Sequence, residues 1–311
     1  MEIGIHSQLG LAPNAARIEA WIEELRQLRH SGFRRAWVSQ FPWEPDIMTL
    51  FAIALREVEG VELATSVLPI QLQHPMHLAQ RALTLSMVSG GRFILGLGLT
   101  HAMVTEGMWG IPWTRPIRWM NEYLDGLLPL LNGQPADAPG EIVTTRGAMQ
   151  IADVTAPPVY IAALKRQMLR VAGRRTAGTI AWMTGPKTLA TEIIPTLRDA
   201  AEEAGRPAKV TRVIAAFPVA VTDDVDTIRA SAAQEFALYS TLPVYQAMLE
   251  REGYQGPADT GIFGDEDTVA QRIDELRTIG VDEFVAAIHA NSEEDRDRTL
   301  TLLRKVGSTP Q

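Results

Sequence analysis

The feature that most constrains this chain is an alternation that repeats eight times. Short apolar runs are each followed by a longer segment with helical spacing of its apolar residues. Ile3-Gly4-Ile5, Ala36-Trp37-Val38-Ser39, residues 61–66 and residues 92–96 read as the first four strands. Residues 158–162, 179–182, 210–221 and 283–287 read as the last four. Between them, Ile18, Trp21, Ile22, Leu25 and Leu28 line one helix face, with Asn14 placed to cap its start and Gly32 its end. Further helices are expected over about 46–58, 78–87, 167–175, 189–204 and 299–306, and around Trp119 to Leu127 and Val269 to Ile279. The stretch from Thr100 to about Pro116 reads as irregular.

Eight β-then-α units in 311 residues imply an α/β fold, a (β/α)8 TIM barrel. An open doubly wound sheet shares the alternation, but the unit count and the lack of a midpoint linker favour the barrel. Two stretches exceed what the repeat needs. Residues 134–153 suggest a hairpin inserted after the fourth helix, pairing Glu141-Ile142-Val143-Thr144 with Ala148-Met149-Gln150-Ile151. Residues 230–264 form a second insertion before strand 8, and residues 1–311 are expected to form a single domain.

Composition narrows the function. The formal net charge of −8 gives no electrostatic reason to expect nucleic acid or an anionic membrane as partner. The chain has no cysteine, which removes disulfides, iron–sulfur clusters, thiolate zinc sites and cysteine nucleophiles. No basic stretch leads into an apolar one near Met1 and no apolar run is long enough to span a bilayer, so a cytoplasmic location is expected.

In a barrel of this kind the chemistry sits where the strands end. Those ends carry His6-Ser7, Ser39-Gln40, Ser66-Val67, Thr100-His101, residues 162–168, Trp182-Met183-Thr184 and His289. They supply hydroxyls, amides and imidazoles without the carboxylates and His-x-His spacing of a catalytic metal centre, so no metal is expected. His74 and His77 fall at a helix start without other ligands. His6 and His289 stand on neighbouring strands, where contact with one ligand and simple packing both remain open. Gly96-Leu97-Gly98 lacks the third glycine of a dinucleotide fingerprint and reads as relief of crowding at a strand end. No Gly-x-Ser-x-Gly elbow occurs. At Ala162-Ala163-Leu164-Lys165-Arg166-Gln167-Met168 a strand runs into a helix start bearing two cations, a setting suited to an anion such as phosphate.

Four stretches together resemble the bacterial luciferase-like superfamily, specifically its F420-dependent oxidoreductases. They are Thr65 to Pro69 with His74-Pro75 and Leu78-Ala79-Gln80; Ser89-Gly90-Gly91-Arg92 through Gly98 into Thr100-His101; Pro158 to Ala163 with Met168-Leu169 and Ala172-Gly173; and Gly264-Asp265 through Val285. The resemblance implies a barrel that binds coenzyme F420, with FMN as the alternative, and a homodimer acting on a small-molecule substrate. It implies a cis peptide at Ser66–Val67 supporting the cofactor ring, Thr100 and His101 bordering that ring, and Ala162, Ala163, Leu164, Lys165, Arg166, Gln167 and Met168 as the phosphate-binding turn.

The implied reaction is hydride transfer between C5 of the deazaflavin and an organic substrate. An FMN-dependent monooxygenase and a cofactor-binding protein without turnover are the rivals. His101 is the expected group for polarising or protonating substrate, with His6 and Gln40 as secondary candidates. Met103, Met108, Trp109 and Trp113 are expected to shape an apolar substrate pocket. The chain departs from the resemblance in four places: Leu164-Lys165 where relatives carry glycine, Thr176-Ala177-Gly178 where they read Ala-Asp-Gly, and Gln40-Phe41 and Thr100-His101-Ala102 where sugar-phosphate dehydrogenases of the group carry a catalytic His and Glu.

Overall fold

The computed structural model describes residues 1–10 and 13–307. In chain order the first half runs β1 (Glu2–His6), α1 (Ala15–His30), β2 (Arg35–Val38), α2 (Ile47–Glu57), β3 (Glu62–Thr65), β4 (Leu68–Pro69), α3 (Pro75–Ser89), β5 (Phe93–Gly98), α4 (Ala102–Gly107), α5 (Pro116–Leu131), β6 (Ala136–Ala138), β7 (Thr145–Gly147) and β8 (Val159–Ala162). The second half continues α6 (Arg166–Arg175), β9 (Gly178–Trp182), α7 (Pro186–Thr188), α8 (Ile194–Glu203), β10 (Arg212–Val221), α9 (Val225–Glu235), α10 (Pro243–Glu252), β11 (Ile262–Gly264), α11 (Glu266–Thr278), β12 (Glu283–Ile288) and α12 (Glu293–Gly307).

The hydrogen-bonded order β10-β12-β1-β2-β3-β5-β8-β9 returns to β10. Eight strands therefore close into the ring of a (β/α)8 barrel, and the register is parallel, as where Ile5 stands opposite Ala36 and Ala286. No helix among the described residues is long and apolar enough to cross a membrane.

Two details correct the sequence reading. The 134–153 insertion is a hairpin, but Ala136–Ala138 pairs with Thr145–Gly147 in place of the two runs expected. Gly126 on α5 sets this choice, because a Cβ there would lie 2.3 Å from Thr145 Oγ1; the close approach seats β7 on the helix. The 100–116 stretch is also more regular than expected and contains α4.

The chain divides into two compact units, the first comprising Met1–Ser7, His30–Trp37 and Ala163–Gln311, the second Gln8–Arg29 and Val38–Ala162. In the second unit, α1 buries Trp21, Ile22, Leu25 and Leu28, the face its spacing specified. Trp21 stacks on Phe51 of α2, whose ring meets the edge of Phe93 on β5. Asp46 caps α2 by accepting from Thr49 N at 2.8 Å. The Ser89-Gly90-Gly91-Arg92 motif has a structural role. Gly90 ends α3 in the left-handed region, and the Arg92 guanidinium donates to the carbonyls of Leu55, Val58, Val61 and Ser89. These include carbonyls left unpaired at the end of α2.

In the first unit, the strands begin on a charge network. Glu283, buried at the start of β12, accepts from Trp37 Nε1 at 2.7 Å and from the Arg35 guanidinium. Burial raises its pKa, against the pull of Arg35, Trp37 and Arg212. Arg35 and Arg212 each also hold Glu2, at 2.8 and 2.9 Å. The second insertion together with the whole of α9 (residues 225–264) brings its own apolar cluster around Phe236, Tyr245, Met248, Leu249 and Phe263. It is tied down where the Glu252 carboxylate accepts from the backbone N–H groups of Lys187 and Thr188 at the start of α7.

Candidate active site

The second unit contributes the ends of β2, β3, β5 and β8. The Ser66–Val67 bond that follows β3 is cis. Ser66 is fixed from the neighbouring strand, its N–H donating to Val38 O at 2.7 Å while its carbonyl accepts from Ser39 Oγ at 2.8 Å. Thr65 Oγ1 bridges to β5, donating to Gly96 O and accepting from Gly96 N, both at 2.8 Å. The glycine at 98 is a close-approach residue: a Cβ there would lie 2.5 Å from Val67 Cγ2 and 3.6 Å from Ala162 Cβ. Gly96-Leu97-Gly98 thus serves packing at a strand end, where Val67 lies over bare backbone. Thr100 N–H lies 3.5 Å from Gln71 Oε1, while Gln71 Nε2 is buried with no hydrogen-bond partner. An orphaned amide donor beside a glycine-floored shelf suits a flat ring edged with carbonyl acceptors.

His101 is exposed and stands at the N-cap of α4, where its side chain makes no capping bond. The protein packed beside it strips water from part of the ring and lowers its pKa, so it is neutral at neutral pH. Gln40 is committed elsewhere. Its amide donates to Phe41 O and Pro45 O and accepts from Ile47 N, which ties the loop to the start of α2. His74 is likewise a structural residue, capping Met76 N through Nδ1 and meeting Thr144 O through Nε2. Met103 on α4 and Met108 just after it are exposed.

In the first unit lie the turn after β8 and the ends of β1, β9 and β12. Lys165 is the N-cap of α6 and makes no side-chain cap, and the first intrahelical bond runs from Leu169 N to Lys165 O. The amides before Leu169 and the exposed Lys165 and Arg166 form a cationic helix start, while Ala163 and Met168 are buried and Gln167 is exposed. Leu164, which replaces a glycine of the resemblance, packs against the apolar cluster of the 225–264 excursion.

His6 ends β1 against Trp182, with ring centroids 5.7 Å apart, and burial pushes its pKa down to about 4. Trp182 meets Phe236 at 5.9 Å, and Phe236 meets His289 at 5.6 Å. Met183, next to Trp182, is buried at a φ of 47°, uncommon for a side-chain-bearing residue. His289 Nδ1 lies 3.2 Å from Glu235 Oε2, and its Nε2 is buried without a hydrogen-bond partner. Among the described residues, no three His, Asp or Glu side chains gather as a metal site would require.

The expected site residues therefore fall into groups of different character. Ser66 and Val67 follow β3 beside Gly98 with Ala162 close by, Thr100 and His101 follow β5, the turn 163–168 starts α6, and Gln40 is absorbed into its own loop. Sequence reading missed Gln71 and Glu235. Gln71 lay within a resembling stretch without being a matched position, and Glu235 reaches His289 from an insertion that no periodicity connects to β12.

A family model described as luciferase-like monooxygenase matches residues 1–283. A 5,10-methylenetetrahydromethanopterin reductase of Methanolobus tindarius is 25% identical over 282 residues, covering 82% of this chain and 86% of that protein. An F420-dependent secondary alcohol dehydrogenase, solved with an F420–acetone adduct, superposes with a TM-score of 0.81 at 18% identity over 99% of both chains. The FMN complex of the oxygenating constituent of 3,6-diketocamphane monooxygenase from Pseudomonas putida gives 0.77 at 16% identity, over 99% of this chain and 97% of that one. A match spanning nine-tenths of the sequence, on a barrel with this strand order, decides the family: the chain belongs to the luciferase-like monooxygenases.

Proposed function

We propose that this protein is an F420-dependent oxidoreductase, moving a hydride between C5 of the deazaflavin and a small organic substrate. The observation that carries the reading is the shelf in the second unit, where Val67 lies over Gly98 and the buried Gln71 amide lacks a partner. The similarity to a 5,10-methylenetetrahydromethanopterin reductase over most of both chains supports an oxidoreductase, and the F420-dependent secondary alcohol dehydrogenase among the similar structures supports the deazaflavin. When bound, the deazaflavin supplies the hydride chemistry. The chain's residues bind and orient it. Val67 would support the face of the ring, Gln71 Nε2 would be free to donate to a ring carbonyl, and Thr100 and His101 would border it. His101, neutral at neutral pH, is able to hydrogen-bond a substrate oxygen or nitrogen. The amides and cations of the turn 162–168 suit a phosphate group.

Titration with F420 and with FMN, each followed by its own fluorescence, tests the reading. Micromolar or tighter binding of F420 with much weaker binding of FMN is expected. The reverse preference would make the protein an FMN enzyme, and binding of neither would sink both. Gly98→Ala should weaken F420 at least about tenfold, a loss of roughly 1.4 kcal/mol, because the added Cβ displaces Val67.

A further inference from the structure

We propose that His289, oriented by Glu235, is the hydrogen-bond and proton acceptor for a flat, apolar, hydroxyl-bearing substrate held among the aromatic rings after β12. A carboxylate only accepts, so the 3.2 Å contact assigns the Nδ1 proton to a bond with Glu235, and in the neutral imidazole the lone pair is then on Nε2. That acceptor is buried and has no partner. An unsatisfied buried polar atom costs about 1–3 kcal/mol, so its persistence points to a donor brought by a ligand.

The surroundings define that ligand. Phe236 and Phe263 flank the imidazole at 5.6 and 6.1 Å, and Trp182 and Tyr239 extend the aromatic wall through Phe236. The remaining polar rings are neutral. Burial lowers the pKa of His6 and raises those of Tyr239 and Tyr245. Glu235 is the anion facing His289, and the hydrogen bond between them holds its pKa below the usual carboxylate value. Aromatic walls with the Nε2 acceptor, and with the Trp182 Nε1 donor also buried and without a partner, suit a neutral, planar, apolar molecule whose one polar group both donates and accepts, which the hydroxyl of an alcohol or phenol provides. Phe236 is the ring a ligand would displace, since it stands where α9 gives way to a 3-10 turn over Ala237–Thr241.

This inference rests on the hydride-transfer reading for its chemistry. Were such an alcohol oxidised, the carbinol C–H would leave as hydride to an oxidised deazaflavin as acceptor, the O–H proton would pass to His289 Nε2 and the C=O bond would form. His289 touches the substrate; Glu235 is a positioning residue.

The test compares 2-naphthol with 2-methylnaphthalene, isosteres that differ by one hydroxyl, by equilibrium dialysis against the intact protein. The native chain should bind 2-naphthol about tenfold tighter or more. His289→Phe should abolish that preference, and Glu235→Gln, which frees Nδ1 from a carboxylate, should reduce it several-fold while leaving binding of 2-methylnaphthalene unchanged. Equal binding of the two probes, no binding of either, or a preference that survives both variants would overturn the proposal. F420 titration of the same proteins separates the two readings. Normal F420 binding without hydroxyl preference defeats this inference alone, and hydroxyl preference without F420 binding defeats the redox reading alone.

Discussion

Within the first unit, the same strands carry opposite kinds of polar residue at their two ends. At the start of β12, Glu283 is buried with its carboxylate engaged by Trp37 and Arg35, and those bonds extend to Glu2 and Arg212. Just past the end of β12, His289 keeps one buried nitrogen without a partner among aromatic rings. β1 starts on the paired Glu2 and ends on His6, whose protonation burial disfavours. One end is satisfied and serves stability; the other keeps a buried nitrogen of His289 without a partner. This is the division of labour that barrel enzymes show between their two faces.

The contrast is broken or sharpened by stability measurements. Glu283→Ala should cost the most, about 3–5 kcal/mol by urea unfolding, because it leaves Arg35 and Arg212 without their buried partner. A loss below about 1 kcal/mol would show the network to be dispensable. The next effect belongs to His6. Its folded pKa of about 4 lies below the usual 6.5, so the unfolded chain binds the proton more readily. Stability from this group is therefore intact above about pH 6.5 and declines as pH falls toward 4, by up to about 3 kcal/mol. Comparing unfolding of the native chain and His6→Asn at pH 7 and pH 4.5 checks this, and equal pH slopes would refute it. The smallest effect is expected at His289→Phe, within about 1 kcal/mol of the native stability, since the lost Glu235 contact is offset by removal of the orphaned nitrogen. A large loss there would mean the imidazole is a structural residue like Glu283.

The barrel was legible because its information is local and periodic. The buried face of α1, the Asn14 cap at its start and the eight strands all follow from spacing that short windows contain. The hairpin register was misread because it is set by Gly126, which sits on a helix well upstream and admits Thr145. The site divided along the same line. Thr100 and His101 could be placed from strand ends, but the engagement of Gln40 with Ile47 depends on how a loop folds back on a helix. Glu235 and His289 are 54 positions apart and meet only because an insertion carries its own aromatic cluster. Leu164 looked like an obstacle to a phosphate while its direction was unknown; packed against that cluster, it leaves the turn to Lys165 and the backbone amides.

Arg92 carries a final consequence. One guanidinium group collects carbonyls from the end of α2, the end of α3 and the residue before β3. Fraying at any of these places removes an acceptor from a side chain the other two share. The three chain ends should therefore exchange their amide hydrogens as one cooperative block, coupled through a residue that takes no part in the chemistry.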